Sequence, residues 1–267
     1  MTTTHDRPAA VLFDLDGTLL DTPGAIAGVL QRVLEGIGRP DVPGDRVRAT
    51  VGKPLGIVFA ELTGLPEGHP EVTEAVARFR EQFRAEVVPR AAELVFPGVP
   101  ELLSRLREEG RKIAICTSKI RSSAEELLEP AGLADAFDAV VCHGMAPRGK
   151  PHPDLALLAA RSVGVAPERC VVVGDAVDDM RMATAAGMRA IGVSYGVATA
   201  RQLAEAGAEP VTDTVGALDR ALTHPPTSPA ITDRASKAGP GSAPGSAPGQ
   251  VAAPAPISVR TPVPASS

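Results

Sequence analysis

The sequence has 267 residues, of which 44% are hydrophobic and 22% are charged, and a formal net charge of −5. A chain of this composition can bury a sizeable core, which excludes a mostly disordered protein. The acidic balance offers no basic surface to nucleic acid or to an anionic membrane, and six Phe, one Tyr and no Trp are too few for base stacking. Neither nucleic acid nor a membrane is therefore expected as a partner.

The three cysteines lack the spacing of a disulfide framework. Each lies within or at the end of an apolar run, so reduced and buried thiols are expected at Cys116, Cys142 and Cys170. Residues 1–10 are too polar for a signal peptide, and no apolar run reaches the length of a membrane span. The sequence thus predicts a cytoplasmic location.

The first predicted element is a buried strand from Ala10 to Asp14, which is a short apolar run. From residue 22 to residue 95 the pattern changes, and the apolar residues keep helical spacing, as in Ile26, Leu30 and Val33. No convincing strand interrupts this interval. It predicts an inserted α-helical module, large enough to be a small bundle of its own.

After the insert, short apolar runs alternate with helical patterns. The runs predict strands at Lys112 to Thr117, Ala139 to Cys142, Cys170 to Gly174 and Ala190 to Ser194. The helical patterns cover Val99 to Glu109, Ser122 to Leu128, Asp154 to Val163, Asp178 to Ala186 and Ala200 to Ala206. This alternation predicts an α/β fold, a doubly wound parallel sheet of the Rossmann-like kind.

The last predicted segment, residues 223–267, is dominated by Pro, Ala, Ser and Gly, with a near repeat at 241–249. Such a composition cannot offset its ordering entropy by burial, so a disordered C-terminal tail is expected. The predicted organisation is an α/β core formed by residues 1–21 and 96–222, the helical insert at 22–95, and the tail.

Polar side chains gather after four of the predicted strands, at the points where the strands end. They are Asp14 and Asp16, Thr117 and Ser118, Lys150, and Asp175 with its neighbours Asp178 and Asp179. Because ligands of open parallel sheets bind at the carboxyl ends of the strands, we expect these groups to share one crevice. Asp14 and Asp175 would repel each other there unless a cation lay between them, and an oxygen-only ligand shell suits Mg²⁺.

Such a site favours phosphoryl transfer. With Mg²⁺ and Lys150 neutralising charge, a carboxylate can attack a phosphoryl group as nucleophile. Asp16 could then protonate the leaving oxygen and later activate water. The Thr117 hydroxyl and the Ser118 amide would hold the remaining phosphate oxygens.

The motifs resemble those of the haloacid dehalogenase-like hydrolase superfamily, in the branch of phosphoglycolate-phosphatase-like enzymes. The pattern D-x-D-G-T-L-x-D-T is matched from Asp14 to Thr22, and G-D-x-x-x-D from Gly174 to Asp179. A hydroxyl residue after the second strand and a lysine before proline match at Thr117 and Lys150. The resemblance covers residues 8–222.

The resemblance implies a role for each matched residue. Asp14 becomes a phosphoaspartate and Asp16 is the general acid and base. Mg²⁺ is held by Asp14, the carbonyl oxygen of Asp16 and Asp175, while Asp179 steadies metal-bound water or Lys150. The insert corresponds to the family's cap, which closes over the site and excludes water.

Other residues near the motifs have plainer interpretations. Asp178 is expected to cap a helix, and Asp21 and Thr22 to cap the first helix of the insert. Structural roles are also expected for Gly17 and Thr18 in a turn, His143 and His152 in loops, and Tyr195 at the end of a strand. Lys53, in a Gly/Pro loop of the insert, either contacts the leaving group or is a solvated loop residue.

The sequence thus predicts a Mg²⁺-dependent phosphatase acting on a small phosphorylated metabolite. A sugar phosphomutase is the first alternative, although mutases of this branch typically carry Glu where this chain has Gly174. A dehalogenase is disfavoured because those relatives lack the acid found here at Asp16. A non-catalytic binding protein would usually lack a nucleophile or metal ligand. Phosphoglycolate phosphatases and phosphatases of aminohydroxybenzoate-type pathways both remain open as the substrate model, and the oligomeric state cannot be read.

Overall fold

The computed structural model describes residues 7–223 and is built on a six-stranded parallel sheet of order β3-β2-β1-β4-β5-β6. The strands are β1 (Ala10–Phe13), β2 (Lys112–Thr117), β3 (Ala139–Cys142), β4 (Cys170–Gly174), β5 (Arg189–Val193) and β6 (Val211–Thr212). The predicted doubly wound parallel sheet is confirmed. Strand β6 was not predicted, because two residues are too few to make a hydrophobic pattern.

Helices cover both faces of the sheet and form the insert. The insert contains α1 (Pro23–Gly36), α2 (Gly44–Arg48), α3 (Leu55–Thr63), α4 (Pro70–Glu86) and a 3₁₀ helix (Val88–Leu94). The other helices are α5 (Val99–Glu108), α6 (Arg121–Leu128), α7 (Asp154–Ser162), a 3₁₀ turn (Pro167–Arg169), α8 (Val177–Ala185), α9 (Ala200–Glu205) and α10 (Val215–Thr223). None of the helices within residues 7–223 is both long and apolar enough to cross a membrane.

Helix α10 was not predicted, and it moves the expected start of the tail. Its Leu218 and Leu222 are buried in the core, and Arg111 donates a hydrogen bond to the carbonyl oxygen of Leu222 at 3.0 Å. Thr223, expected to begin the tail, is the last residue of this helix. The remainder of the predicted tail, residues 224–267, lies outside the described residues.

The core has two layers because successive strand residues point to opposite faces of the sheet. In β1, Val11 and Phe13 pack on the layer that also contains the insert helices, while Leu12 packs on the layer with α7, α8 and α9. The three cysteines are buried and unpaired, as expected. Burial raises the pKa of Cys116 to about 12, so this thiol stays protonated at neutral pH.

The insert leaves and re-enters the sheet through two segments that pair with each other. The amide of Asp21 donates to the carbonyl oxygen of Leu94 at 2.7 Å, and the amide of Phe96 donates to that of Leu19 at 3.1 Å. The insert also has apolar contacts of its own, since Phe79 stacks on Phe83 with ring centres 5.6 Å apart. The described residues nevertheless pack as one compact unit, so the division into core and cap stays a prediction.

Candidate active site

Strand β1 lies in the middle of the sheet, and its C-terminal end is the centre of the site. Parallel pairing aligns Phe13 with Ile115 of β2 on one side and with Val173 of β4 on the other. The residues that follow these strands therefore emerge at one edge of the sheet. Asp14 continues β1, and its amide donates to the carbonyl oxygen of Val173 at 2.9 Å.

Three buried carboxylates meet at this edge. Asp14, Asp175 and Asp179 each offer an oxygen, and these oxygens lie within 4.8 Å of one another. Burial raises the pKa of Asp14 to about 7, against the opposing effect of Lys150. Burial, together with the charges of Asp14 and Asp179, also holds the pKa of Asp175 well above its ordinary value.

Lys150 is the one ammonium group that these carboxylates share among the described residues. Its Nζ lies 2.6 Å from Asp14 Oδ1 and 2.6 Å from Asp179 Oδ1, and its side chain is 5% exposed. Burial alone would lower the pKa of Lys150, but the charges of Asp14 and Asp179 raise it above its usual value. The lysine is thus a fixed cation, and it neutralises only part of the surrounding negative charge.

The donor set fits a hard divalent cation such as Mg²⁺. All three side chains offer oxygen ligands, and a second positive charge would allow each of them to ionise in a buried setting. Asp14 and Asp175, expected as ligands, both belong to the group. Asp179 also belongs to it, whereas Asp178 is half-buried and lies 3.9 Å from Arg181.

Asp175 is held by a network that the sequence did not reveal. Thr18 Oγ1 donates to Asp175 Oδ1 at 3.0 Å, and the amide of Val197 donates to Oδ2 at 2.8 Å. The Tyr195 hydroxyl in turn donates to the carbonyl oxygen of Thr18 at 3.0 Å. The plainer interpretations of Thr18 and Tyr195 were therefore incomplete, because both residues help to orient this carboxylate.

The side chain of Asp16 stands apart from the three carboxylates. It accepts a hydrogen bond from Thr22 Oγ1 at 2.5 Å, and its Oδ2 lies 3.3 Å from Nζ of Lys119. Thr22 was expected to cap α1, but its hydroxyl makes no capping bond to that helix. The prediction was wrong because a buried carboxylate is a stronger acceptor for this hydroxyl than the helix start is a donor.

Lys119 is a site residue that the sequence reasoning did not assign. Besides Asp16, its ammonium lies 4.5 Å from the ring centre of Phe83 in α4, so it links the core to the insert. Its position after Thr117 and Ser118, in the same strand-end loop, was the signal that could have found it.

A cavity of about 470 Å³ lies over this edge of the sheet. The candidate phosphate-binding residues Thr117 and Ser118 line it together with Asp14 and Asp16. Thr117 is buried, and its Oγ1 accepts a hydrogen bond from the amide of Lys119 at 3.2 Å. The catalytic groups expected to act on a phosphate therefore face one space.

The insert also contributes to the cavity lining. Lys53 is among its lining residues, and its ammonium pairs with Glu61 at 2.6 Å. His143, expected to be structural or exposed, also lines the cavity, and its Nδ1 is buried without a partner in the described part of the chain. His152 is exposed, as expected.

Comparisons with known proteins agree with this geometry. A family model described as haloacid dehalogenase-like hydrolase matches residues 11–193. The chain is 42% identical to "Probable phosphatase IndB" of Dickeya dadantii over 76% of this chain and 89% of that protein. It is 34% identical to a phosphoglycolate phosphatase of Caulobacter vibrioides over 73% of this chain and 84% of that protein.

A solved structure supports the same assignment. A hydrolase from Pseudomonas syringae superposes with a TM-score of 0.69 at 26% sequence identity, over 79% of this chain and 98% of that one. The matched family region begins in β1 and ends with β5, so it contains Asp14, Lys150 and Asp175.

Proposed function

We propose a reaction mechanism for this chain, which belongs to the haloacid dehalogenase-like hydrolase family and is a phosphatase. The proposed reaction is hydrolysis of a small-molecule phosphomonoester through a phosphoaspartyl intermediate, with Mg²⁺ as the cofactor. The observation that carries it is the buried carboxylate group around Lys150, with Asp14 at the centre of the sheet edge.

Mg²⁺ would be held by Asp14, Asp175 and the carbonyl oxygen of Asp16, and when bound it supplies positive charge that offsets repulsion between nucleophile and phosphate. Lys150 adds a second fixed positive charge beside Asp14. Asp179 accepts a hydrogen bond from the amide of Ala176 at 3.1 Å, which fixes it as the second acceptor for Lys150. These contacts support a preorganised binding site for a dianionic phosphate.

The reaction takes two steps. In the first, a carboxylate oxygen of Asp14 forms a bond to phosphorus while the bond to the leaving oxygen breaks, and Asp16 donates a proton to that oxygen. In the second, Asp16 accepts a proton from water as the water attacks phosphorus, which releases phosphate and restores Asp14. The Thr117 hydroxyl and the Ser118 amide hold the oxygens that do not react.

Gly174 favours hydrolysis over the mutase alternative. A Cβ at position 174 would lie 2.4 Å from Cβ and Cγ of Asp179, closer than real contacts permit. A glutamate there would displace Asp179, and with it one of the two carboxylates that hold Lys150. The site is therefore shaped around glycine at this position.

The intermediate can be tested with p-nitrophenyl phosphate, whose leaving group does not need a proton. In Asp16→Asn, the first step should proceed and the second should stall, because no base activates water. We expect a burst of nitrophenol equal to the enzyme concentration, and Asp14 carrying a phosphoryl group in acid-quenched peptides analysed by mass spectrometry. Asp14→Asn should show neither.

Asp178→Asn is the matched control, since it makes the same change in a carboxylate outside the buried group. It should keep a turnover close to that of the unmodified chain. Turnover by Asp14→Asn above about a tenth of that of the unmodified chain would exclude Asp14 as the nucleophile. Unchanged turnover in excess chelator would exclude the metal.

A further inference from the structure

The cavity above Asp14 is much larger than a phosphate needs, and its outer wall is mostly hydrocarbon. The insert contributes Leu30, Val51, Leu55, Val76, Phe79 and Phe83 to this wall. Apolar walls stabilise a bound group only when it removes apolar surface of its own from water. Glycolate, a two-carbon acid, offers almost no such surface.

Arg80 is the exception in this wall. It lies on α4 between Val76 and Phe83, at the helical spacing that places all three on one side of the helix, and all three line the cavity. Its side chain is half-buried, and its Nε is buried without a hydrogen-bond partner among the described residues. A buried donor without an acceptor costs free energy unless a ligand supplies that acceptor.

Arg80 differs from the other cations of the cavity. Lys53 pairs with Glu61 at 2.6 Å, and Lys119 lies 3.3 Å from Asp16. Within residues 7–223, Arg80 forms no ion pair with any carboxylate. Its charge is therefore available to a ligand, whereas theirs is already balanced.

We propose that the alcohol part of the substrate is a ring-sized, largely apolar group that carries an anionic oxygen, and that Arg80 binds this oxygen. The proposal rests on the phosphatase mechanism above and names its substrate class. The apolar part packs between Val76 and Phe83, while the phosphate lies at Asp14. Arg80 then determines specificity and takes no part in the bond changes. It follows that 2-phosphoglycolate is a poor substrate.

The test compares phenyl phosphate with 3-carboxyphenyl and 4-carboxyphenyl phosphate, and with 2-phosphoglycolate, by kcat/KM in Mg²⁺. For the unmodified chain we expect the better carboxyphenyl ester to exceed phenyl phosphate by at least about tenfold, and 2-phosphoglycolate to fall below it by more. In Arg80→Met, that preference should fall to about threefold or less, with phenyl phosphate nearly unchanged. Ratios taken within one variant and compared between variants cancel differences in the reactivity of the esters.

Arg78→Met is the matched control, because Arg78 lies on the same helix but is exposed and bonded to Glu74 at 2.6 Å. It should retain the preference for the carboxylate. Val76→Thr tests the apolar wall independently, since it keeps the shape and adds a hydroxyl. It should lower kcat/KM for the aryl esters by about tenfold and leave 2-phosphoglycolate unchanged.

An unchanged preference in folded Arg80→Met would overturn the proposal, as would a 2-phosphoglycolate kcat/KM above that of every aryl ester. If Arg80→Met does not fold, Val76→Thr decides, and equal losses on both substrate types overturn the proposal. Absence of Mg²⁺-dependent phosphate release from every ester would instead overturn the phosphatase mechanism itself.

Discussion

Replacing Gly196 with alanine should disable the metal site without touching a ligand. Gly196 lies against Asp175 in the loop after β5, and an added Cβ would lie 2.2 Å from Oδ2 and 2.4 Å from Cβ of Asp175. Rotation of the carboxylate moves Oδ2 but not Cβ. The backbone at one of the two positions must therefore shift.

The size of the effect follows from these distances. Ordinary contact begins near 3.4 Å, so the two groups must separate by about 1 Å. Overpacking of this kind costs about 1–3 kcal/mol. Loss of the Val197 amide bond to Asp175 adds about 1.5–3 kcal/mol, because the acceptor can be charged. A displacement of about 1 Å in a catalytic site can lower turnover by about a hundredfold.

The assay measures three quantities on the same preparation: the free energy of unfolding in urea, the rise in Tm on adding Mg²⁺, and kcat. For Gly196→Ala we expect a loss of about 3–5 kcal/mol of stability. The Mg²⁺-dependent rise in Tm should nearly vanish, because that rise reports metal binding to the folded state. Turnover should fall by about two orders of magnitude.

Gly24→Ala is the matched control, since Gly24 lies in α1 with nothing within 4 Å of an added Cβ. It should leave turnover unchanged and stability equal or slightly higher. If Gly196→Ala kept more than half of its turnover and its full Mg²⁺-dependent rise in Tm, the close approach of Gly196 would not hold Asp175 in place. The reasoning above would then be refuted.

Three further predictions concern the proton-transfer group, the metal and the insert. Thr22→Val removes only the hydroxyl that donates to Asp16 and should lower kcat by about tenfold with little change in KM, whereas Thr22→Ser should restore it; equal kcat in all three proteins would contradict this role. Because the raised pKa of Asp14, about 7, favours its protonated form without metal, Mg²⁺ must displace a proton below that pH. Calorimetry should show tighter Mg²⁺ binding at pH 8 than at pH 6, with protons released, and a pH-independent affinity would contradict it. Lys53→Ala should lower kcat/KM for an ester with an anionic leaving group and spare phenyl phosphate; because Lys53 already pairs with Glu61, we expect a loss of at most about tenfold, and equal losses on both esters would return it to a loop role.

The sequence alone determined the α/β class, the order of five strands and the placement of the chemical groups at one edge. Continuous apolar runs identify strands buried on both faces, and parallel strands bring their carboxyl ends together whatever lies between them. Asp14 and Asp175 could therefore be placed near each other although 161 residues separate them. The same reasoning could not find β6, which has only two residues.

Only the tertiary structure decided how the catalytic side chains are held. Thr18 bonds to Asp175 across 157 positions, and Tyr195 bonds to Thr18 across 177. Hydrophobic periodicity reports which face of an element is buried, but it carries no information about which distant hydroxyl or amide meets a carboxylate. Such pairs depend on loop paths beyond the strand ends. The partnerless Arg80 and the hydrocarbon wall around it likewise become visible only when α4 is packed over the sheet edge, because a helical stripe of apolar residues looks the same whether it faces a core or a cavity.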